Sequence, residues 1–364
     1  MAVSDPHVIA EFMNSLEKKL DILRESYAEN GGFEKLAAES AEAMNGGKYA
    51  AFISVCDINT RASVLRGAGD SPEEAWESAC RAAREYVRKS GLMPAWVKSD
   101  VTVKSERVSF AELEELIAKS RNEFFRRGIS FDEGMQTALI EGEINGSRVI
   151  TYKEHKIELT RVNKRLSACG LRTLTAFPEE VRLFDCRSFF TDGGGVYPLY
   201  ESGNNCGRRI ISKFDDKTAL EVIETAAQYL ENMVGLDGKF EYGYYPIFHK
   251  EIPGYNILRH SSSIWSLICS YRLTKDKFTL NQIQKAIGYM VANTFKKYPD
   301  RPGVTNTVYL AEKSKGEVKV GGNAIAVIML TEYMDATGSQ RHRTLCEELG
   351  NGIMAVSYTH LRAH

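Results

Sequence analysis

Ala226-Ala227-Gln228-Tyr229-Leu230 recurs 60 positions later as Ala286-Ile287-Gly288-Tyr289-Met290, and Tyr271 recurs 62 positions later as Tyr333. These segments lie in four stretches whose apolar residues follow helical spacing, 218–234, 257–274, 280–297 and 323–337, separated by loops containing Gly, Pro and aromatics. A period of about 60 residues fits a helical-hairpin repeat, whose units bury their apolar faces only by stacking on one another. The members of each pair differ. Ala324 to Leu330 is apolar on every side, as expected of a helix enclosed by neighbours, whereas 280–297 carries lysines and polar residues on one face. That contrast predicts an inner and an outer ring of helices.

Upstream the periods mix. Residues 1–44 read as N-terminal helices through Val8, Ile9, Phe12, Leu16, Leu20 and Leu23, interrupted at Gly31-Gly32. In 45–200, Tyr49–Cys56 and Ala62–Leu65 read as strands joined by a turn at Asp57-Ile58-Asn59. Ser71-Pro72-Glu73-Glu74 combines an N-cap, a proline at the first helical position and a glutamate at the third. The helix it opens carries Trp76, Ala79, Cys80, Ala83, Tyr86 and Val87 on one stripe. Ser109-x-x-Glu112 repeats the device ahead of Leu113, Leu116 and Ile117, and Trp96–Lys104 alternates as a strand between the two helices. Arg66-Gly67-Ala68-Gly69-Asp70 precedes a capped helix, a setting able to present N–H groups to an anion, but without the spacing of a phosphate-binding loop it reads as a plain turn. Gly193-Gly194-Gly195 reads as a hairpin tip, 201–216 as a linker, and Trp76, Trp96 and Trp265 as core residues. The predicted fold class is an α+β N-terminal domain followed by an all-α helical-hairpin domain over 217–355.

Composition narrows the function classes. The 364 residues are 43% hydrophobic and 26% charged, with 47 Lys+Arg against 48 Asp+Glu, which leaves no basic surplus for phosphates. Nucleic acid is therefore not the expected partner. No run of about 18 apolar residues predicts a membrane span, and MAVSDPHVIAEFMNSLEKKL lacks the plan of a secretion signal, so a cytoplasmic protein is expected. Seven cysteines without CxxC spacing suit buried thiols, and without paired His or carboxylate–His spacing on a helix neither a metal site nor a cofactor is expected.

The α+β region resembles the AMMECR-type domain over roughly 48–190. The carrying residues are Leu65-Arg66-Gly67-Ala68-Gly69, the helix with Ala79, Ala82 and Ala83, and Cys169-Gly170-Leu171 ahead of Val181-Arg182-Leu183-Phe184. Ala68 stands where that family has a cysteine, so the resemblance implies fold rather than thiol chemistry. The helical region is similar in pattern to α/α-toroid proteins that handle carbohydrates, among them six-hairpin glycosidases and the C-terminal domain of glucuronyl C5-epimerases. Leu236 to Pro246, Tyr255-Asn256-Ile257-Leu258-Arg259-His260 and Gly321-Gly322-Asn323 carry that likeness.

Chemistry concentrates between Asp237 and His260. Asp237, Glu241, His249 and His260 are the candidate catalytic groups, and Tyr242, Tyr244, Tyr245, Tyr255, Asn256 and Arg259 the candidate binding groups. Paired carboxylates supply a general acid and base at a glycosidic or uronate carbon, aromatic faces bind sugars, and an arginine fork holds a sugar carboxylate. Two functions stay open. One is a glycan- or sugar-acid-processing protein of hydrolase, lyase or epimerase type; the other is a non-catalytic binding or scaffold protein of polysaccharide or cell-envelope polymer metabolism. Either way the expected ligand is a carbohydrate or sugar acid.

Val356 to His364 shows neither helical nor strand period. Reverse translation as GTC TCT TAT ACA CAT CTC CGA GCC CAC resembles the transposon-end adapter of sequencing libraries, so 356–364 is expected to be an artefactual tail. On that expectation His360 and His364 are no ligands, the toroid is truncated at its C-terminus, and the parent protein is longer.

Overall fold

A computed structural model describes residues 5–120, 124–146, 148–151, 153–245, 250–297, 305–312 and 316–361, with the backbone alone for 356–361. The chain divides into two units, one running through Ile211 and one beginning at Ser212.

The first unit opens with helices α1 (Pro6–Glu29) and α2 (Gly32–Ser40), separated where Gly31 adopts φ +98°. Then follow β1 (Tyr49–Cys56), β2 (Ser63–Gly69), α3 (Pro72–Ser90), β3 (Trp96–Ser109), α4 (Phe110–Lys119), β4 (Gly128–Ser130), α5 (Glu141–Gly146), α6 (Leu159–Ala168), β5 (Glu180–Thr191) and β6 (Val196–Leu199). The strands form a six-stranded antiparallel sheet in the order β2-β1-β3-β5-β4, with β6 on β5. Alternation along β1 sends Ala51, Ile53 and Val55 into one core with Leu16, Leu20 and Leu23 of α1 and Trp76 of α3. Ala50 and Phe52 enter another core on the opposite face, with Met135, Ala138, Ile140 and Phe184. The near-continuous apolar run of β1 thus reflects burial on both faces, and α1 and α2 are part of this unit's core.

Both cap signatures nucleate helices where predicted. Ser71 accepts from Glu74 N, while Ser109 and Glu112 form the reciprocal capping box. One expectation is corrected: Arg66 to Gly69 is not a turn but the second half of β2. A Cβ on Gly67 would lie 2.4 Å from Ala79 N, and one on Gly69 2.8 Å from Ala75 N, so these glycines admit α3 against the strand. Trp76 is buried at 2% exposure, but Trp96 and Trp265, expected in the core, are 40% and 36% exposed.

The second unit comprises α7 (Asp216–Asn232), β7 (Tyr244–Tyr245), β8 (Lys250–Glu251), α8 (Ile257–Thr274), α9 (Lys277–Thr294), β9 (Phe295–Lys297), β10 (Val308–Glu312), β11 (Glu317–Val318), α10 (Val320–Thr337) and α11 (Arg343–Leu361). The helical pattern predicted for 280–297 stops at Thr294, because 295–297 pairs with β10 instead. A helix, a strand insert and a second helix therefore occur twice, as α7–β7/β8–α8 and α9–β9/β10/β11–α10. Ile264, Leu267, Ile283, Ile287, Met290, Ala326, Met329 and Leu330 share one core. The most extensive helix–helix contact joins α8 to α10. Contrary to the enclosed helix expected, Ile328 of α10 is 44% exposed. The backbone of α11 stays helical to Leu361, past the point where the sequence loses its period, since extending an existing helix costs far less than starting one. Among the described residues no helix is long and apolar enough to cross a membrane.

Candidate functional site

The chain after α7 turns back on itself before reaching β7. Gly235 N donates to Lys239 O at 2.8 Å, Glu241 N donates to Met233 O at 2.9 Å, and Val234 bridges Phe240. At the tip Gly238 takes φ +88°, where a Cβ would stand 2.3 Å from Lys285 O, so only glycine fits. Asp237 accepts from Lys239 N at 2.9 Å. Its carboxylate therefore shapes the turn as an Asp-Gly pair does elsewhere.

This turn, the end of α7 and the start of α8 form a cleft of about 240 Å³ whose lining includes Tyr229, Glu241, Tyr242, Tyr255, Asn256, Arg259 and His260. Asn256 is the N-cap of α8: its side-chain oxygen accepts from Arg259 N at 3.0 Å, a bond that stabilises a helix by about 1 kcal/mol. Capping places Arg259 and His260 in the first turn. The Arg259 guanidinium lies over the Tyr242 ring, 4.5 Å from its centroid, and has no carboxylate within ion-pair distance among the described residues. Such a contact at an exposed site is worth about 0.5–1 kcal/mol and leaves the donor edge of the fork open.

His260 is 2% exposed. Its Nε2 donates to the Ala286 carbonyl of α9 at 2.9 Å, which fixes the tautomer and leaves Nδ1 as an acceptor. Nδ1 is buried without a partner among the described residues, and so is the hydroxyl of Tyr255, whose ring centroid lies 5.3 Å from the imidazole. Burial lowers the imidazole pKa to about 4, against the opposing pull of the Ala286 carbonyl and Asp237, so the ring is neutral near pH 7. Burial also raises the Tyr255 phenol, as do Tyr289 and Glu312, so that group keeps its proton. An acceptor and a donor thus belong to one ring cluster, and neither is charged at neutral pH.

The ten candidates separate accordingly. Glu241, Tyr242, Tyr255, Asn256, Arg259 and His260 meet in the cleft. Three do not line it: Asp237 is the turn residue, and Tyr244 and Tyr245 pair with Glu251 and Lys250 in the β7–β8 hairpin. His249 lies outside the described residues. Of the two carboxylates among the catalytic candidates, Glu241 lines the cleft and Asp237 serves the turn.

Two site residues were not singled out for chemistry. Tyr229 is 59% exposed at the cleft, and Tyr289 stacks on His260 at 5.7 Å and packs against Tyr255 at 5.6 Å. They are the paired tyrosines of the 60-residue repeat, a signal that pointed to equivalence but not to a shared site. Comparison with family models, with curated proteins and with solved structures finds no match.

Proposed function

We propose that the helical unit takes a glycan or sugar acid into this cleft, with an acidic sugar the best fit to its chemistry. The observation that carries the reading is the pair of partnerless buried atoms, His260 Nδ1 and the Tyr255 hydroxyl. A sugar hydroxyl both donates and accepts, which is the chemistry these two atoms lack. Arg259 offers a fork to a carboxylate, while Tyr242 and Tyr229 offer aromatic faces. The twofold occurrence of helix, strand insert and helix supports an α/α-toroid-like architecture, in which the loops ahead of inner helices gather at one end. Processing of hydrolase, lyase or epimerase type runs through Glu241 as base in this reading.

The alternative, a non-catalytic binding or scaffold role, is favoured by the lone carboxylate and by the neutrality of His260 and Tyr255 at pH 7. A panel of neutral and uronate-containing oligosaccharides, followed by thermal shift and by release of reducing ends or unsaturated products, separates the two. Acidic oligosaccharides are expected to raise the melting temperature of the wild type. Turnover that Glu241→Gln abolishes establishes the enzyme, binding without turnover establishes the scaffold, and no binding to any member overturns the proposal.

A further inference from the structure

A second cleft, of about 290 Å³, lies in the first unit on the sheet face that carries Ala50 and Phe52. Further along that face β1 places Ser54 and Cys56 there, β2 places Val64, β3 places Trp96 and Lys98, and β5 places Phe190. Polar and charged side chains at positions that bury apolar groups elsewhere on the sheet need a reason.

Beside the cleft, two segments distant in sequence meet on one carboxylate. Glu143, 1% exposed, accepts from Arg66 Nη2 at 2.7 Å, from Arg165 Nη2 at 2.7 Å and from the Cys169 thiol at 3.4 Å through Oε1, while Oε2 accepts from Ile140 N at 3.1 Å. Glu143 is thereby fully engaged. Lys98 is paired with Asp100 at 2.7 Å. Arg66 and Arg165 thus share one carboxylate, and Lys98 has another. Arg61 is the cation left over: it donates to the Gly142 carbonyl at 3.3 Å and has no carboxylate within ion-pair distance among the described residues. Burial, reinforced by Arg165, works against its charge, while Glu143 favours it only in part. Ser54 is only 7% exposed, and its hydroxyl makes no hydrogen bond to a described side chain or backbone group.

We propose that this cleft binds a small organic anion bearing a flat apolar ring, with the anionic group on Arg61 and Ser54 and the ring against Trp96 and Phe190. An anion supplies the charge Arg61 lacks and an acceptor for the Ser54 hydroxyl. A 40% exposed tryptophan and the half-buried Phe190 on the cleft wall supply faces for the ring. The volume sits at the lower end of ligand pockets, which sets the scale at a single ring with one charged substituent.

The test is isothermal titration and thermal shift of the full chain with phenyl phosphate, benzoate, inorganic phosphate and phenol. Phenyl phosphate or benzoate is expected to bind, with the stronger of the two identifying the anionic group. Inorganic phosphate and phenol are expected to bind at least about tenfold more weakly, since each lacks one half of the recognition. Arg61→Gln is expected to lose binding at least about tenfold at unchanged melting temperature, and Trp96→Ala to weaken the aromatic anions but not inorganic phosphate. Failure of both aromatic anions to bind, equal binding of phenol, or wild-type affinity in Arg61→Gln overturns the assignment. If Arg61→Gln does not fold, Trp96→Ala decides alone, and unchanged affinity there overturns it equally.

Discussion

The two helix–insert–helix repeats of the second unit treat the same helical position in opposite ways. The fourth residue of α8 is His260 and the fourth of α10 is Asn323, both almost fully buried. Asn323 is saturated: its Oδ1 accepts from Leu310 N at 2.8 Å, and its Nδ2 donates to Leu310 O at 3.1 Å and Lys319 O at 2.9 Å. Strand β10 is drawn onto the helix start and buried there, with Val308, Leu310 and Ala311 at 1% exposure or less. In the other repeat β8 is exposed, and among the described residues the His260 ring bonds through Nε2 while Nδ1 is unpaired. Where the insert satisfies the buried polar group it closes over the helix start; where it does not, a cleft lies beside the helix among the described residues. An unsatisfied buried acceptor beside an unsatisfied hydroxyl costs stability, a cost that the proposed ligand would offset.

The largest expected effect tests the closed repeat. Asn323→Ala strands the buried N–H and C=O of Leu310, at about 1–3 kcal/mol each, so a loss of about 4 kcal/mol is expected in urea unfolding. His260→Phe deletes the orphan acceptor at the expense of a slightly larger ring, and the Ala286 carbonyl stays within helix α9, so the cost is expected to be about 1–2 kcal/mol. Equal losses in the two variants would erase the distinction between the repeats.

The next effect is pH-dependent and belongs to the open repeat alone. The unfolded chain takes up a proton on His260 near pH 6.5, which the folded unit refuses until about pH 4. Stability from this group is complete above pH 6.5 and is lost as pH falls through that window, by about 3 kcal/mol in total. Urea melts of the wild type at pH 7, 5.5 and 4 should show the fall, and the same series on His260→Phe should lack that component.

Smaller still is Arg259→Ala, expected to weaken an acidic oligosaccharide by about ten- to a hundredfold at nearly unchanged melting temperature, since a charge-assisted bond carries about 1.5–3 kcal/mol. The smallest is Asn256→Ala, which removes the α8 cap at about 1 kcal/mol and shifts the urea midpoint only slightly.

Much of the frame was legible because it rests on local rules. Helical spacing located α7 to α10, and Ser71-Pro72 and Ser109-x-x-Glu112 marked helix starts that the capping bonds then bear out. What escaped reading depends on distant neighbours. Gly67 and Gly69 look like turn residues until α3 is brought against them, and Trp96 alternates like a core residue although its side of β3 opens on a cleft. In the site, the cluster around Glu241, Tyr242, Tyr255, Arg259 and His260 was visible as a concentration of ionisable and aromatic groups. The tautomer of His260 was not, because it is set by a carbonyl 26 residues away in another helix. Asp237 illustrates the reverse: its Asp-Gly pairing is a local turn signal, outweighed in the sequence by its company among other charged residues.

The most direct test of the open-repeat account is calorimetric titration of a uronate oligosaccharide and its neutral counterpart into the wild type, Arg259→Ala and His260→Phe at pH 7. The account predicts binding of the acidic ligand by the wild type, a loss of at least about tenfold in each variant, and weaker binding of the neutral ligand throughout. Indifference to the sugar's charge, or wild-type affinity in His260→Phe, would contradict it.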